Sequence, residues 1–272
     1  MSEDLEYLLG TDDAELARLG FQHQVWASHT SRAWERAGFR RGDHLLDVGC
    51  GPGYGTLDLA RLVGPGGHVL AVDGSARFVR HLEAECRRRG VQHVETRLEN
   101  LESLALPANS VDGAFARWVL CYLPDPGAVI ATVARALRPG RAFAVMDYCR
   151  YEGFTMAPAS DAVDAVIAAV ARSFRSHGGN PDVGLDLAAH MHRAGLEVRS
   201  VRPLVRVGRP GTALWDWPGT FFENYLPTLI EMGEITDAER RAFERDWRDR
   251  SASRDAWFLS PPMVEVVGVK PA

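Results

Sequence analysis

The chain predicts an α/β protein: a doubly wound, mostly parallel, seven-stranded sheet with a helical segment ahead of it and a helical insertion before the last strand. Three observations carry that expectation. Short β-branched runs alternate with amphipathic helical stretches from about residue 45 to residue 148, the links between them are short, and the first strand runs directly into a glycine-dense turn. Such alternation is the pattern of parallel strands joined by crossover helices.

Residues 12–37 read as a helix because Leu16, Leu19, Trp26, Ala33 and Ala37 recur at helical spacing, leaving Gln22, His23, Gln24 and His29 on a polar face. Residues 45–48 and 69–72 read as strands, each followed by a helix, over 54–63 and over 75–89, where Phe78, Leu82 and Cys86 keep the spacing. Strands at 94–98 and 111–117 come next, then a helix over 126–137 stopped by Pro139-Gly140, and a strand over 141–148. Helices over 158–176 and 185–194, a strand over 196–207 and a last strand over 263–269 complete the pattern. Residues 208–260, between the final two strands, are too long for a hairpin turn and dense in aromatics. There Thr236 and Glu239 make a capping box for a charged helix over about 237–250, so this insertion is expected to form a helical cap. The expected organisation is a helical segment (1–40), an α/β core (41–207, completed by 261–270) and a cap (208–260).

Composition narrows the chemistry. With 272 residues, 46% hydrophobic and 25% charged, the chain can bury a sizeable core. A net charge of -5 argues against a nucleic acid as the main partner. All but one of the 31 cationic side chains are Arg, the exception being Lys270 near the end, which removes Schiff-base lysine chemistry and the lysine-bearing P-loop. Cys50, Cys86, Cys121 and Cys149 are widely spaced with no CxxC, so neither a disulfide framework nor a zinc knuckle is indicated, and no metal is expected. The acidic residues 1–6 do not resemble a signal peptide, and no apolar run is long enough to cross a bilayer. A cytoplasmic protein without a membrane partner is expected, as a monomer or homodimer.

The most informative stretch is His44 to Gly55, a strand ending in Asp47-Val48-Gly49-Cys50-Gly51-Pro52-Gly53 and then a helix. Glycine there lets a ligand approach the backbone, and the helix N-terminus offers unpaired N–H groups, so a nucleotide-like guest is expected. The second strand ends in Asp73, 20 residues past Gly53, where doubly wound folds place a carboxylate that accepts from ribose hydroxyls. A dinucleotide-binding G-x-G-x-x-G fits no frame: from Gly49 the sixth residue is Tyr54, and from Gly51 it is Thr56.

At these residues the sequence resembles the class I S-adenosylmethionine-dependent methyltransferases, of the small-molecule type found in ubiquinone and menaquinone biosynthesis and in secondary-metabolite tailoring. The resemblance spans about residues 41–150 and continues through residues 110–125 and 135–147, similar to the family's fourth and fifth strands with their flanks. It implies S-adenosylmethionine as cofactor, with Asp47, Gly49, Cys50, Gly51 and Gly53 around its amino-acid half, Asp73 on the ribose, Gly74 and Ser75 beside the adenosine, and Arg117 and Trp118 near the methionine portion. Where many relatives carry an acid after the third strand, this chain has Arg97, so the resemblance leaves the adenine contact to Leu98 or Glu99. It also implies that the N-terminal helix folds over the cofactor as a lid.

Methyl transfer from a sulfonium is an in-line displacement governed by alignment and electrostatics. An acceptor with a high pKa needs a base, and the candidates are His23, His29, Asp147, Tyr148 and His190. Trp215, Trp217, Phe221, Phe222 and Tyr225, interleaved with polar residues, are the expected lining of a pocket for a small, partly apolar acceptor attacked at O, N or C. The Asn/Asp-Pro-Pro-aromatic box of base- and amide-methylating relatives is absent after the fourth strand. A second reading keeps the cofactor site for a non-methylating reaction such as a cyclisation, or as a binding module.

Overall fold

The computed structural model describes residues 10–272; the acidic residues 1–6 lie outside the described residues. After helix α1 (Asp13–Ala37) the core runs β1 (His44–Val48), α2 (Tyr54–Val63), β2 (His68–Asp73), α3 (Ala76–Arg89), β3 (Val94–Leu98), β4 (Val111–Arg117), α4 (Pro126–Ala136) and β5 (Leu137–Tyr148). Then follow β6 (Thr155–Ala157), α5 (Asp161–Ser176), α6 (Leu187–Arg193), β7 (Glu197–Leu204), β8 (Val207–Gly208), α7 (Ala213–Glu231), α8 (Asp237–Ser251), β9 (Trp257–Leu259) and β10 (Met263–Val269).

The main sheet has seven strands in the order β3-β2-β1-β4-β5-β10-β7. β1 to β5 pair in parallel, and β10 lies antiparallel between β5 and β7. The order reverses between β1 and β4, so the carboxyl ends of these two strands open the crevice in which such sheets bind ligands. Strands covered on both faces read as continuous apolar runs, and β10 is buried along its whole length. Each fully buried Leu or Phe, such as Leu46 or Phe143, contributes about 1.5–3 kcal/mol.

Two expectations needed correction. The strand expected over 196–207 ends at Leu204, where β7 is the sheet edge; the chain then leaves the sheet, and β8 pairs with β9, which pairs with β6, as a separate three-stranded sheet. Gly208 makes the β8–β9 approach possible, since a Cβ there would collide with the Phe258 ring. The helix expected from residue 158 begins at Asp161, because the Ser160 hydroxyl accepts from the Val163 N–H at 3.2 Å and caps it.

The insertion is helical as expected, with α7 and α8 as its bulk, and the capping box is present: the Thr236 hydroxyl accepts from the Glu239 N–H at 3.2 Å while the Glu239 carboxylate accepts from the Thr236 N–H at 2.6 Å. It joins α5, which packs on both α7 and α8. Helix α1 lies across core and cap, against β5 and β10 on one side and α7 on the other. No helix among the described residues is long and apolar enough to cross a membrane.

Candidate functional site

The site begins where β1 ends. Gly49, Gly51 and Gly53 all have positive φ, at 65°, 54° and 84°. A Cβ on Gly49 would collide with Val119 and one on Gly53 with Leu82, whereas one on Gly51 would meet nothing within 4 Å. The outer two glycines therefore let the loop pack on its neighbours, and Gly51 opens it to a ligand. The Asp73 carboxylate braces the loop, accepting from the Gly51 N–H at 2.7 Å and the Ser75 N–H at 2.9 Å. Burial raises its pKa, and the N–H donors of Ser75, Gly51 and Gly74 oppose that shift.

Asp47 is buried under the loop and accepts from the Thr56 hydroxyl at 2.6 Å. Burial pushes its pKa up to about 6, against the pull of that hydrogen bond and of Arg117. Arg117, at the tip of β4, donates to Thr30 Oγ1 at 2.7 Å and lies 3.2 Å from His23 Nδ1. Its burial lowers its pKa to about 10, with Asp47 and Asp58 opposing. Because a guanidinium can only donate, His23 Nδ1 accepts, and its Nε2–H is left to donate to Asp58 Oδ2 at 3.0 Å. Trp118 follows with φ 52°, a strained conformation for a large side chain, and its indole N–H points to Met263 Sδ at 2.9 Å.

These groups line one half of a cavity of about 920 Å³. Asp47, Gly49, Cys50, Gly51, Asp73, Gly74, Ser75, Arg117 and Trp118 border it, continued by Phe78 and by Asn100, Leu101 and Glu102. The other half is aromatic, with Tyr122, Tyr148, Tyr151, Phe174 and Phe221, and polar groups reach it from Arg18 and Gln22 of α1 and from His177, Thr228 and Glu231. A cavity of this size with an apolar wall and a few polar groups suits a small organic ligand.

Several expected site residues lie elsewhere. Gly53 faces Leu82 and not the cavity. Leu98 is 39% exposed and Glu99 accepts from the Ala105 N–H at 3.3 Å; the cavity is reached two residues later, at Asn100. Arg97 pairs with Glu95 and Glu99.

Among the expected bases, His23 is committed through both ring nitrogens. His29 packs on the edge of Trp26, its pKa lowered by burial and by Arg206, Arg32 and Arg36, and it does not border the cavity. His190 lies beside Arg193 on α6, also away from it. Asp147 is fully buried and accepts from the Tyr148 N–H at 2.8 Å and the Cys121 N–H at 3.2 Å, a brace for the turn after β4. Tyr148 does border the cavity, but burial lifts its phenol well above the ordinary value, which makes it a donor and not a base near neutral pH.

Of the five expected pocket aromatics, Phe221 alone borders the main cavity. Trp217 and Phe222 line a small void of about 20 Å³ behind Tyr148 and Tyr151. Trp215 packs on Trp247 and Phe258 and donates to Ser251 Oγ at 3.0 Å, while the Tyr225 hydroxyl lies 2.8 Å from Ser173 Oγ; both belong to the cap's interior.

Sequence reasoning missed Arg18 and His177. Arg18 donates to Glu15 at 2.6 Å through both Nε and Nη2 and to Gln22 Oε1 at 3.0 Å, an i, i+3, i+7 stripe that could have marked the inward face of α1. His177 follows the last turn of α5, and its Nδ1–H donates to the Ser173 carbonyl at 2.8 Å. It is the histidine that borders the cavity, and with Nδ1 so committed its Nε2 carries the lone pair.

In comparison with known proteins, residues 46–145 match the family described as a methyltransferase domain. Over 100 residues, 37% of this chain and 36% of the relative, the sequence is 43% identical to the nocamycin O-methyltransferase of Saccharothrix syringae. It is 33% identical over 119 residues, 44% of this chain and 49% of the relative, to the demethylmenaquinone methyltransferase of Anoxybacillus flavithermus. The chain spans half or less of the length of these curated relatives. Among solved structures the [4+2]-cyclase SpnF has a similar fold, with a TM-score of 0.60 at 20% identity over 90% of this chain and 81% of that one.

Proposed function

We propose that the chain is a class I S-adenosylmethionine-dependent methyltransferase that transfers the methyl group of S-adenosylmethionine to a small, partly apolar organic acceptor. The observation that carries this reading is the cavity itself, in which a glycine- and carboxylate-lined half at the β1/β4 crevice meets an aromatic half roofed by α1 and the cap.

The residues present fit the cofactor. Gly51 leaves space for a ligand against the backbone, and Asp73 has lone pairs left for ribose hydroxyls once its two N–H donors are counted. Phe78 and Leu101 offer an apolar slot for a base, with the Asn100 side chain beside it. Arg117 sets a cation, held by Thr30 and His23, where a carboxylate would be neutralised. When bound, the cofactor would supply an electrophilic methyl group on a sulfonium, whose sulfur can accept the electron pair of the broken bond.

The chain's own residues do the rest. Trp118, Tyr148, Phe174 and Phe221 exclude water and fix the acceptor's orientation, the larger part of catalysis in an in-line displacement. An acceptor that must lose a proton gives it to His177 Nε2, whose tautomer the Ser173 carbonyl fixes.

The test is calorimetric titration of S-adenosylhomocysteine into wild type and Asp73→Ala, followed by turnover with labelled S-adenosylmethionine over phenol, amine and activated-carbon acceptors. Binding near micromolar, weakened at least about tenfold in the variant, is expected. No binding to wild type would remove the reading, and binding without turnover of any acceptor would favour the non-methylating use.

A further inference from the structure

Tyr148 closes β5, and Tyr151 opens a single 3-10 turn three residues later. Their rings meet edge to face with centroids 5.0 Å apart, and both border the main cavity. They are 9% and 4% exposed. Other tyrosines of the fold spend their hydroxyls on the protein: Tyr54 donates to the Leu16 carbonyl at 3.0 Å, and Tyr225 is paired with Ser173. Neither Tyr148 nor Tyr151 has such a partner among the described residues, yet neither hydroxyl is sealed away, the sealed and partnerless side-chain atoms being the indole nitrogens of Trp26 and Trp34. Two nearly buried donors on cavity-lining residues are thus left without a protein partner, and groups of this kind are satisfied by a ligand or by water.

The chemistry of the pair favours an anion. Burial raises both phenols well above their ordinary value, so each keeps its proton and can donate it in a hydrogen bond. The guanidinium of Arg18, held by Glu15, acts on both in the opposite sense and sets a cation beside them, while the buried Asp147 carboxylate acts with burial on Tyr148. The walls at this end are rings, Phe174 and Phe221 among them.

We propose that the Tyr148 and Tyr151 hydroxyls form a paired-donor subsite that holds the acceptor by a phenolate-type oxygen, with its ring against Phe174 and Phe221. This deepens the methyl-transfer reading and rests on it. The acceptor's O–H bond breaks, its proton passing to His177 Nε2 and its electron pair staying on oxygen. The two tyrosine donors occupy two lone pairs of that oxygen. A third forms the new bond to the methyl carbon as the sulfur–carbon bond breaks with its electrons going to sulfur.

The experiment uses 4-nitrophenol, whose phenolate absorbs in the visible, titrated spectrophotometrically against pH on the full chain saturated with S-adenosylhomocysteine. Wild type is expected to lower the apparent pKa of the bound probe by about 1, because donors to the charged form favour it. Tyr148→Phe and Tyr151→Phe should each lose part of that drop and the double variant all of it, with S-adenosylhomocysteine affinity unchanged in calorimetry. A drop that survives in the double variant, a bound probe with its solution pKa, or no uptake of the probe at millimolar concentration overturns the subsite while cofactor binding stands. Failure to bind S-adenosylhomocysteine, measured before the probe is added, overturns the methyl-transfer reading together with it.

Discussion

Asp47 and Asp147 are buried carboxylates whose partners are a hydroxyl and backbone N–H groups, and burial dominates both, lifting each pKa to about 6 from an ordinary 3.8. A carboxyl raised in the folded state binds its proton more tightly there than in the unfolded chain. Its ionised form therefore costs stability, which is fully spared below the unfolded pKa and lost as pH rises through the folded one. For Asp147 the shift amounts to about 3 kcal/mol between pH 4 and pH 7. Asp147→Asn cannot ionise, so its melting temperature should fall less over that range than that of wild type; equal slopes in thermal denaturation would show that burial does not govern this group. His177 gives a second prediction. His177→Gln should lower kcat/KM about 10²–10⁴-fold while S-adenosylhomocysteine binds as before. A variant with unchanged kcat/KM would place the base elsewhere.

At the scale of elements, α1 is fastened to the sheet by Arg36, which donates through Nε at 2.6 Å to Glu265, a residue of β10 with no exposed surface. Arg36→Ala strands a buried carboxylate and should cost about 3–5 kcal/mol in urea unfolding, whereas Glu265→Gln, which leaves only the outer partner unpaired, should cost less. Equal costs would mean that the ion pair adds little beyond packing. Elements of the core were legible because the central strands β1, β2, β4 and β10 are buried nearly throughout and the helices carry glycine or Pro-Gly stops. Helix α7 was not placed, since Pro218 and Pro227 inside it break the signal that would mark a helix. The aromatics of the insertion misled for another reason: Trp215 and Tyr225 are aromatic like Phe221, and only three-dimensional packing decides which ring turns to the cavity and which to the cap's interior. The glycine loop and Asp73 were legible because their chemistry is local, while His23 was misread because its role comes from Asp58 and Arg117, 35 and 94 residues away.

At the scale of the whole molecule, α1 bridges the core and the cap, packing on β5 and β10 of the one and on α7 of the other. Toward the core it holds Arg117 through Thr30, Asp58 through His23, and the Tyr54 hydroxyl through the Leu16 carbonyl. Toward the cap, Gln22 accepts from the Trp217 indole N–H at 2.9 Å and Glu15 accepts from Asn224 at 3.3 Å, while the Val25 carbonyl accepts at 2.6 Å from Arg206, in the link between β7 and β8. Gln22 is thus shared between Trp217 and Arg18, the guanidinium beside the two free tyrosines. The contacts that hold the cofactor half lie on one side of this helix and those that shape the aromatic half on the other, so the two kinds of binding should separate by mutation. Trp217→Phe keeps a ring against Trp26 and Trp118 and deletes the N–H donor alone. It should cost about 1 kcal/mol of stability and raise the acceptor KM several-fold, because Gln22 and Arg18 lose their fixed positions. The dissociation constant of S-adenosylhomocysteine should change less than about twofold, since additivity holds for sites without shared partners. A parallel loss of cofactor and acceptor affinity would show instead that α1 closes over both halves as one unit.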